Sequence, residues 1–390
     1  MTDTTDTKLG TVLVTGGNGI VGSHVVDAFL TDGTFTRVVA TQHRNQQYQN
    51  PKAHYLVCDI TDAVQVTDLL NEVQPQVIVH TVSPGPFAPP KAQHRVNYIA
   101  TKQLLETAYQ SNWVQAFVYT SSVEAVVLSG IKSKQETEED AVLNDLTSGP
   151  SAYARTKGAT DALVLSFNTP VSHTNVKNPD VKFQNTLLTS SLRIGALYGE
   201  RDETTIAKLL KLVNTFGARV QVGSNKAVHD WVYTESAARA HVLASKALLD
   251  SHRQLKEVKV DGEAFFITDG NPMLFWDFSR KVLTQAGDRK LNGETPVKII
   301  QIPFGVMLFF ASIGELSYKV FTLGYKSPKM ARHHFDFMRK GCWFSIEKAR
   351  VRLGYRPVCD TDEGIRRSVK WFQEVQSDII REVTKAKQHR

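Results

Sequence analysis

The feature that most constrains this chain is Thr11-Val-Leu-Val-Thr-Gly-Gly-Asn-Gly-Ile-Val-Gly-Ser-His-Val-Val-Asp-Ala-Phe-Leu30. A β-branched apolar run enters a glycine cluster and leaves as an amphipathic helix, which reads as strand, tight turn and helix. Gly16, Gly19 and Gly22 fall three apart, and each has a separate physical task. One supplies a positive φ, one lets backbone approach a pyrophosphate, and one lets the helix press against the strand. Unpaired N–H groups at the helix start then face the phosphates, and Ile20 joins the glycines as a cofactor-binding candidate. A glycine-rich turn holding nothing is the plain alternative, and position decides against it: the triplet follows a strand, opens a helix and lies near the N-terminus.

The chain then alternates strand-like and helical segments, as right-handed crossovers in a parallel sheet require. Strands are predicted at 11–15, 37–41, 54–58, 76–81, 116–120 and 187–194, and helices at about 24–31, 66–73, 91–111 and 151–167. The fold class is therefore α/β, a doubly wound parallel sheet with a smaller C-terminal substrate lobe. The expected division is 1–198 for the dinucleotide-binding unit and 199–390 mainly for the lobe, with the chain free to cross back. Helices at 204–216 and 235–249 and a strand at 264–268 fall after the alternation breaks down. Residues 168–184, rich in Asn, Pro, Val and Lys, read as an inserted surface loop.

With 390 residues and 42% apolar content the core can be sizeable. A net charge of +7 is spread among acids, without a basic stripe carrying interleaved aromatics, so nucleic acid is not an expected partner. Cys58, Cys342 and Cys359 lack metal-ligand spacing, and His80, His229, His241, His333 and His334 have no partners at such spacing; neither a metal site nor a disulfide framework is expected. This cysteine usage fits a reducing, cytoplasmic setting, and the polar N-terminus reads as no secretory signal. The most apolar stretch, 302–313, is too short for the ~20 residues of a bilayer span. It reads as a core helix, with an interfacial helix or an apolar substrate mouth as the alternative.

A second constellation is Pro150-Ser-Ala-Tyr153-Ala-Arg-Thr-Lys157. Tyr153 and Lys157 share a helix face, and an ammonium beside a phenol favours phenolate, a group able to exchange a proton with an alcohol or carbonyl. Thr120-Ser-Ser122 stands at the carboxyl end of the fifth strand, where a parallel sheet presents groups to its ligand crevice.

Together with Asp59-Ile60, His80-Thr-Val-Ser-Pro84, Asn97, Tyr119-Thr-Ser-Ser-Val-Glu124, Leu192-Arg-Ile-Gly-Ala-Leu-Tyr-Gly199, Asp230-Trp-Val-Tyr233, Phe265-Phe-Ile-Thr-Asp-Gly270 and Leu353-Gly-Tyr355, these motifs resemble the extended short-chain dehydrogenase/reductases. The likeness is greater still to their 3β-hydroxysteroid dehydrogenase branch, which includes sterol-4α-carboxylate 3-dehydrogenases. The resemblance implies Tyr153 as acid/base, Lys157 as its tuner and ribose anchor, and Ser122 as the hydroxyl orienting the substrate oxygen, with Ser121 in reserve. It implies Asp59 and Ile60 at the adenine and Asn97 placing the active-site helix and a relay water. The implied reaction is hydride transfer between a nicotinamide and a secondary alcohol of a large apolar sterol, triterpenoid or meroterpenoid, plausibly the ring-A 3-hydroxyl with C4 decarboxylation. A dihydroflavonol-type reductase and a cofactor-sensing protein without catalysis are the alternatives. The resemblance also admits a homodimer and peripheral contact with the endoplasmic reticulum membrane. The second strand ends at Thr41 without the acid usual for NAD, and His43 and Arg44 follow; this favours NADP over NAD, both remaining open.

Overall fold

A computed structural model of the protein describes residues 8–43, 47–128, 130, 134–169, 186–253, 258–293, 297–322 and 331–388. The first half runs β1 (Leu9–Thr15), α1 (Ile20–Asp32), β2 (Phe35–Gln42), β3 (His54–Val57), α2 (Ala63–Val73), β4 (Val77–His80), α3 (Pro90–Gln93), a π-helical turn (His94–Ala100), α4 (Thr101–Gln110), β5 (Ala116–Ser122) and α5 (Ala152–Ser166). The second half runs β6 (Leu188–Ile194), β7 (Ala196–Tyr198), α6 (Ile206–Leu210), β8 (Val220–Val222), β9 (Val228–His229), β10 (Trp231–Tyr233), α7 (Thr234–His252), β11 (Glu263–Ile267), β12 (Met273–Leu274), α8 (Phe275–Gln285), β13 (Ile300–Ile302), α9 (Phe304–Thr322), α10 (Arg332–Lys340), α11 (Glu347–Leu353) and α12 (Thr361–Gln388).

Seven parallel strands form one sheet in the order β11-β6-β5-β4-β1-β2-β3, so the strand order reverses between β1 and β4. That reversal opens a crevice at the carboxyl ends. Period-2 alternation sends Val12 and Val14 into a core with α1 and α7, and Leu13 into a second core with α2 and α4. The strand predicted at 264–268 is β11, the sheet's seventh strand, registered on β6 from Glu263 opposite Ser190 to Ile267 opposite Ile194. Helix α7 likewise packs in the first core, against α1. Chain after residue 199 thus contributes to the main sheet body, because Phe265 and Ile267 bury against β6 only from that edge.

The remaining C-terminal elements build a separate cluster around Tyr198, Trp231, Tyr233 and Phe278, with Trp231 stacked on Phe278 at 3.6 Å between centroids. Helix α9 departs from the core-helix expectation. Its Phe309 and Phe310 are 63% and 61% exposed and Phe321 is 86% exposed, while Ala311 is buried. Among the described residues its inner side packs in a small core of Val222, Ala311 and Phe335 with Trp276, Met307, Leu308 and Met338, and its outer apolar face is left exposed. Among the described residues no helix is long and apolar enough to cross a membrane. The predicted insertion at 168–184 falls largely outside the described residues, which stop at 169 and resume at 186.

Candidate active site

The glycine turn at the top of β1 is dictated by contact. Gly16 adopts φ +75°, and a Cβ on Gly22 would lie 2.1 Å from the Gly16 carbonyl oxygen. Only glycine lets α1 approach so closely. A Cβ on Gly17 would lie 2.5 Å from that of Ala40, a requirement of β1–β2 packing invisible to the three-residue glycine spacing. Gly19 caps α1 in extended backbone without a side-chain hydrogen bond, leaving the N–H groups of the first turn directed at whatever lies ahead.

Ahead lies a cavity of about 850 Å³ lined by Gly16, Gly19, Thr41, His43, Asp59 and Ile60 among others. Six predicted cofactor residues are therefore brought together. Ile20 and Gly22 stand behind them as the first residues of α1. The turn glycines and the open helix start fit a dinucleotide pyrophosphate. Asp59 accepts hydrogen bonds at Oδ1 from the Thr61 N–H and hydroxyl, which hold its carboxyl below the usual range. Its Oδ2 stands 3.6 Å from His43 Nε2.

Thr41 corrects the sequence reading in part. It lines the cavity but is buried, and its hydroxyl accepts from the Gly16 N–H at 3.0 Å, bracing the turn. The strand runs on to Gln42, whose amide oxygen accepts from Asn18 Nδ2 at 3.2 Å. Gln42 and Asn18 are thus the polar pair at this end of the cavity, and the sequence reading passed over both. Arg44 lies outside the described residues.

Outside the lining of that cavity, Ser151 caps α5 by accepting from the Ala154 N–H, fixing Tyr153 and Lys157 on the first turns. Lys157 is buried, its ammonium donating to the Thr120 carbonyl at 2.8 Å and lying 4.8 Å over the Tyr119 ring and 5.9 Å from that of Tyr153. Burial pushes Lys157 down to about 7, with Asp161 opposing. The Tyr153 phenol is raised by burial and by the Glu124 carboxylate, while a hydrogen bond with Ser122 pulls it back. The ammonium thus stands near the phenol ring, the arrangement that the i,i+4 spacing predicts. Ser122 also accepts from the Glu124 N–H, and burial alone pushes Glu124 up to about 7. Ser121 is buried and its hydroxyl has no partner among the described residues.

Asn97 belongs to the π-helical turn and couples it to α5, donating to Gln93 Oε1 at 2.7 Å and Thr156 Oγ1 at 3.1 Å; Thr160 donates to its carbonyl. Its own Oδ1 is buried without a partner among the described residues, a place suited to a water. His80 is sealed between the Thr15 and Thr101 hydroxyls and pushed down to about 3, a neutral packing residue.

Residues 13–297 match the 3-beta hydroxysteroid dehydrogenase/isomerase family. The chain belongs to that family. A decarboxylating sterol-4-alpha-carboxylate 3-dehydrogenase of Gibberella zeae is 33% identical over 307 residues, covering 79% of this chain and 94% of the relative. Its counterpart in Schizosaccharomyces pombe is 28% identical over 360 residues, covering 91% and 96%. In fold, this 3-beta hydroxysteroid dehydrogenase family member resembles the UDP-glucose 4-epimerase of Thermotoga maritima solved with UDP-glucose, at TM-score 0.65 and 18% identity over 94% of this chain and 99% of that one. It also resembles the Thermus thermophilus UDP-glucose 4-epimerase solved with NAD, at 0.64 and 19% over 93% and 99%. Family membership makes the protein an oxidoreductase of the CH–OH group that works with NAD or NADP.

Proposed function

We propose that the protein oxidises the 3-hydroxyl of a 4-carboxylated sterol, or of a triterpenoid or meroterpenoid of like shape, to the ketone. Tyr153 takes the hydroxyl proton, Ser122 orients the oxygen, and Lys157 supplies positive charge beneath both. A nicotinamide bound there would supply the hydride acceptor. Gly16, Gly19, Ile20 and Gly22 would hold its pyrophosphate, Asp59 and Ile60 its adenine, and Lys157 its nearer ribose. Once C3 is a ketone, a carboxylate on C4 belongs to a β-keto acid, which loses CO₂ without a further oxidation. The observation that carries the reading is the meeting of Ser122 and Tyr153 over a buried Lys157 at the carboxyl end of β5. The names of the relatives support the substrate class.

The same reading takes the apolar face of α9 as a seat on a phospholipid surface. Val306, Phe309, Phe310, Ile313 and Leu316 follow helical spacing and are 45–64% exposed. A water-insoluble substrate would then pass from bilayer to site without crossing water.

The test is incubation with a 4α-carboxysterol and either nicotinamide, reading reduced cofactor and the product mass. Loss of 46 Da, two hydrogens plus CO₂, is the expected result. Turnover of small ketones with NADPH and none of the sterol would overturn the reading in favour of a reductase.

A further inference from the structure

Helix α5 carries a third ionisable residue on the face of Tyr153 and Lys157. Asp161 lies one turn beyond the lysine and is fully buried. Its carboxylate is gripped from β6: Arg193 donates from Nη2 to Oδ1 at 2.9 Å and from Nε to Oδ2 at 3.1 Å, and the Ser191 hydroxyl donates to Oδ2 at 2.7 Å. The Arg193 side chain is 5% exposed. Desolvating two such charges costs about as much as their attraction returns, so the pair adds little net stability over an apolar replacement. Its placement calls for another account.

We propose that the Asp161–Arg193 pair is a positioning device for Lys157, the arginine fixing a carboxylate one helical turn from the buried ammonium so that Lys157 keeps its proton beneath Tyr153. The assignment rests on the proposed role of Lys157 as a cation in the oxidation. The surroundings leave this task to Asp161. His80 from β4 is neutral and faces Lys157, Tyr119 from β5 offers its ring, and the Thr120 carbonyl is a dipole. Tyr153 sits a turn earlier on α5, with Glu124 acting on the phenol. Asp161 is the group that opposes the loss of the lysine's charge on burial. Arg193 and Ser191 hold that carboxylate in its place, so its support of the lysine depends on their grip.

The experiment reads Lys157 directly. In protein carrying ¹³C-labelled lysine, the Cε resonance of Lys157, identified by its loss in Lys157→Met, is titrated with pH and compared among variants that melt cooperatively. Asp161→Asn should lower the midpoint by a pH unit or more, Asp161→Glu should restore it, and Arg193→Gln, which releases the carboxylate, should lower it as well. An unchanged or raised midpoint in Asp161→Asn overturns the proposal. Should that variant fail to fold, Arg193→Gln decides, and an unchanged or raised midpoint overturns it. The midpoint requires neither substrate nor nicotinamide, so its behaviour is separable from the proposed reaction. If Lys157→Met still turns over the 4α-carboxysterol, the functional reading fails whatever the titration does.

Discussion

Lys157 and Thr120 meet across the α5–β5 interface, the ammonium donating to the strand carbonyl at 2.8 Å. That bond ties the lysine to the strand segment that ends in Ser122, so the hydroxyl, the phenol and the cation are registered by one strand and one helix. The Thr120 hydroxyl is itself paired with His241 Nε2 at 2.8 Å from the opposite face of the sheet, which fixes the residue from both sides.

Tyr153→Phe removes the proton acceptor and spares the packing of α5. Steady-state kinetics should show kcat lowered at least ~10²-fold with nicotinamide affinity and melting temperature near wild type. Near-normal kcat would remove Tyr153 from the chemistry.

Gly22→Ala drives a methyl to 2.1 Å from the Gly16 carbonyl oxygen and 2.8 Å from Thr81 Oγ1. Backbone cannot yield as a side chain tip can, so α1 must move off the turn at a cost of ~1–3 kcal/mol. Fluorescence titration should find nicotinamide binding lost or sharply weakened, and calorimetry a lower melting temperature.

Gln42→Glu places a carboxylate where β2 ends. It can accept from a ribose 2′-hydroxyl and repels a 2′-phosphate, so the ratio of kcat/KM for NAD over NADP should rise ~10-fold or more, about 1.4 kcal/mol. A ratio that stays constant would mean that this residue does not face the ribose.

Asp230 gives the fold a pH dependence. Burial pushes its carboxyl up to about 7, against the Phe344 N–H bond that favours ionisation. Its other oxygen, Oδ1, is buried without a partner among the described residues. A folded pKa above the unfolded one means stability that is complete below about pH 4 and lost as pH rises through about 7. Asp230→Asn abolishes that loss. Between pH 5 and 8, denaturant melts should find the variant gaining ~1–3 kcal/mol on wild type, at 1.36 kcal/mol per unit of displaced pKa. A constant difference across that range would refute it.

Replacing both Phe309 and Phe310 with serine should release the protein from phospholipid vesicles in co-sedimentation while leaving the melting temperature within a few degrees, since both rings are more than 60% exposed. Unfolding of the double variant would instead mark α9 as part of the core.

The sequence alone determined the sheet body. Strand-turn-helix periodicity and the glycine spacing give β1 to β6 within a residue or two, because a parallel strand buried on both faces and a turn with no room for Cβ leave few other readings. The closeness of Tyr153, Lys157 and Ser122 was legible for the same local reason: i,i+4 spacing on a capped helix and a hydroxyl at a strand end. Tertiary structure decided what depends on partners distant in the chain. It made residues 263–267 the seventh strand, because only the free edge of β6 buries Phe265 and Ile267. It turned Thr41 inward to Gly16, 25 residues away, and left that end of the cavity to Gln42 and Asn18. It exposed the outer face of α9, whose composition reads as core, because the small core described beneath it takes up only its inner side. It also set the charges of the site, since the desolvation that depresses Lys157 and raises Tyr153, and the Arg193 that grips Asp161 from 32 residues on, exist only once the strands are assembled.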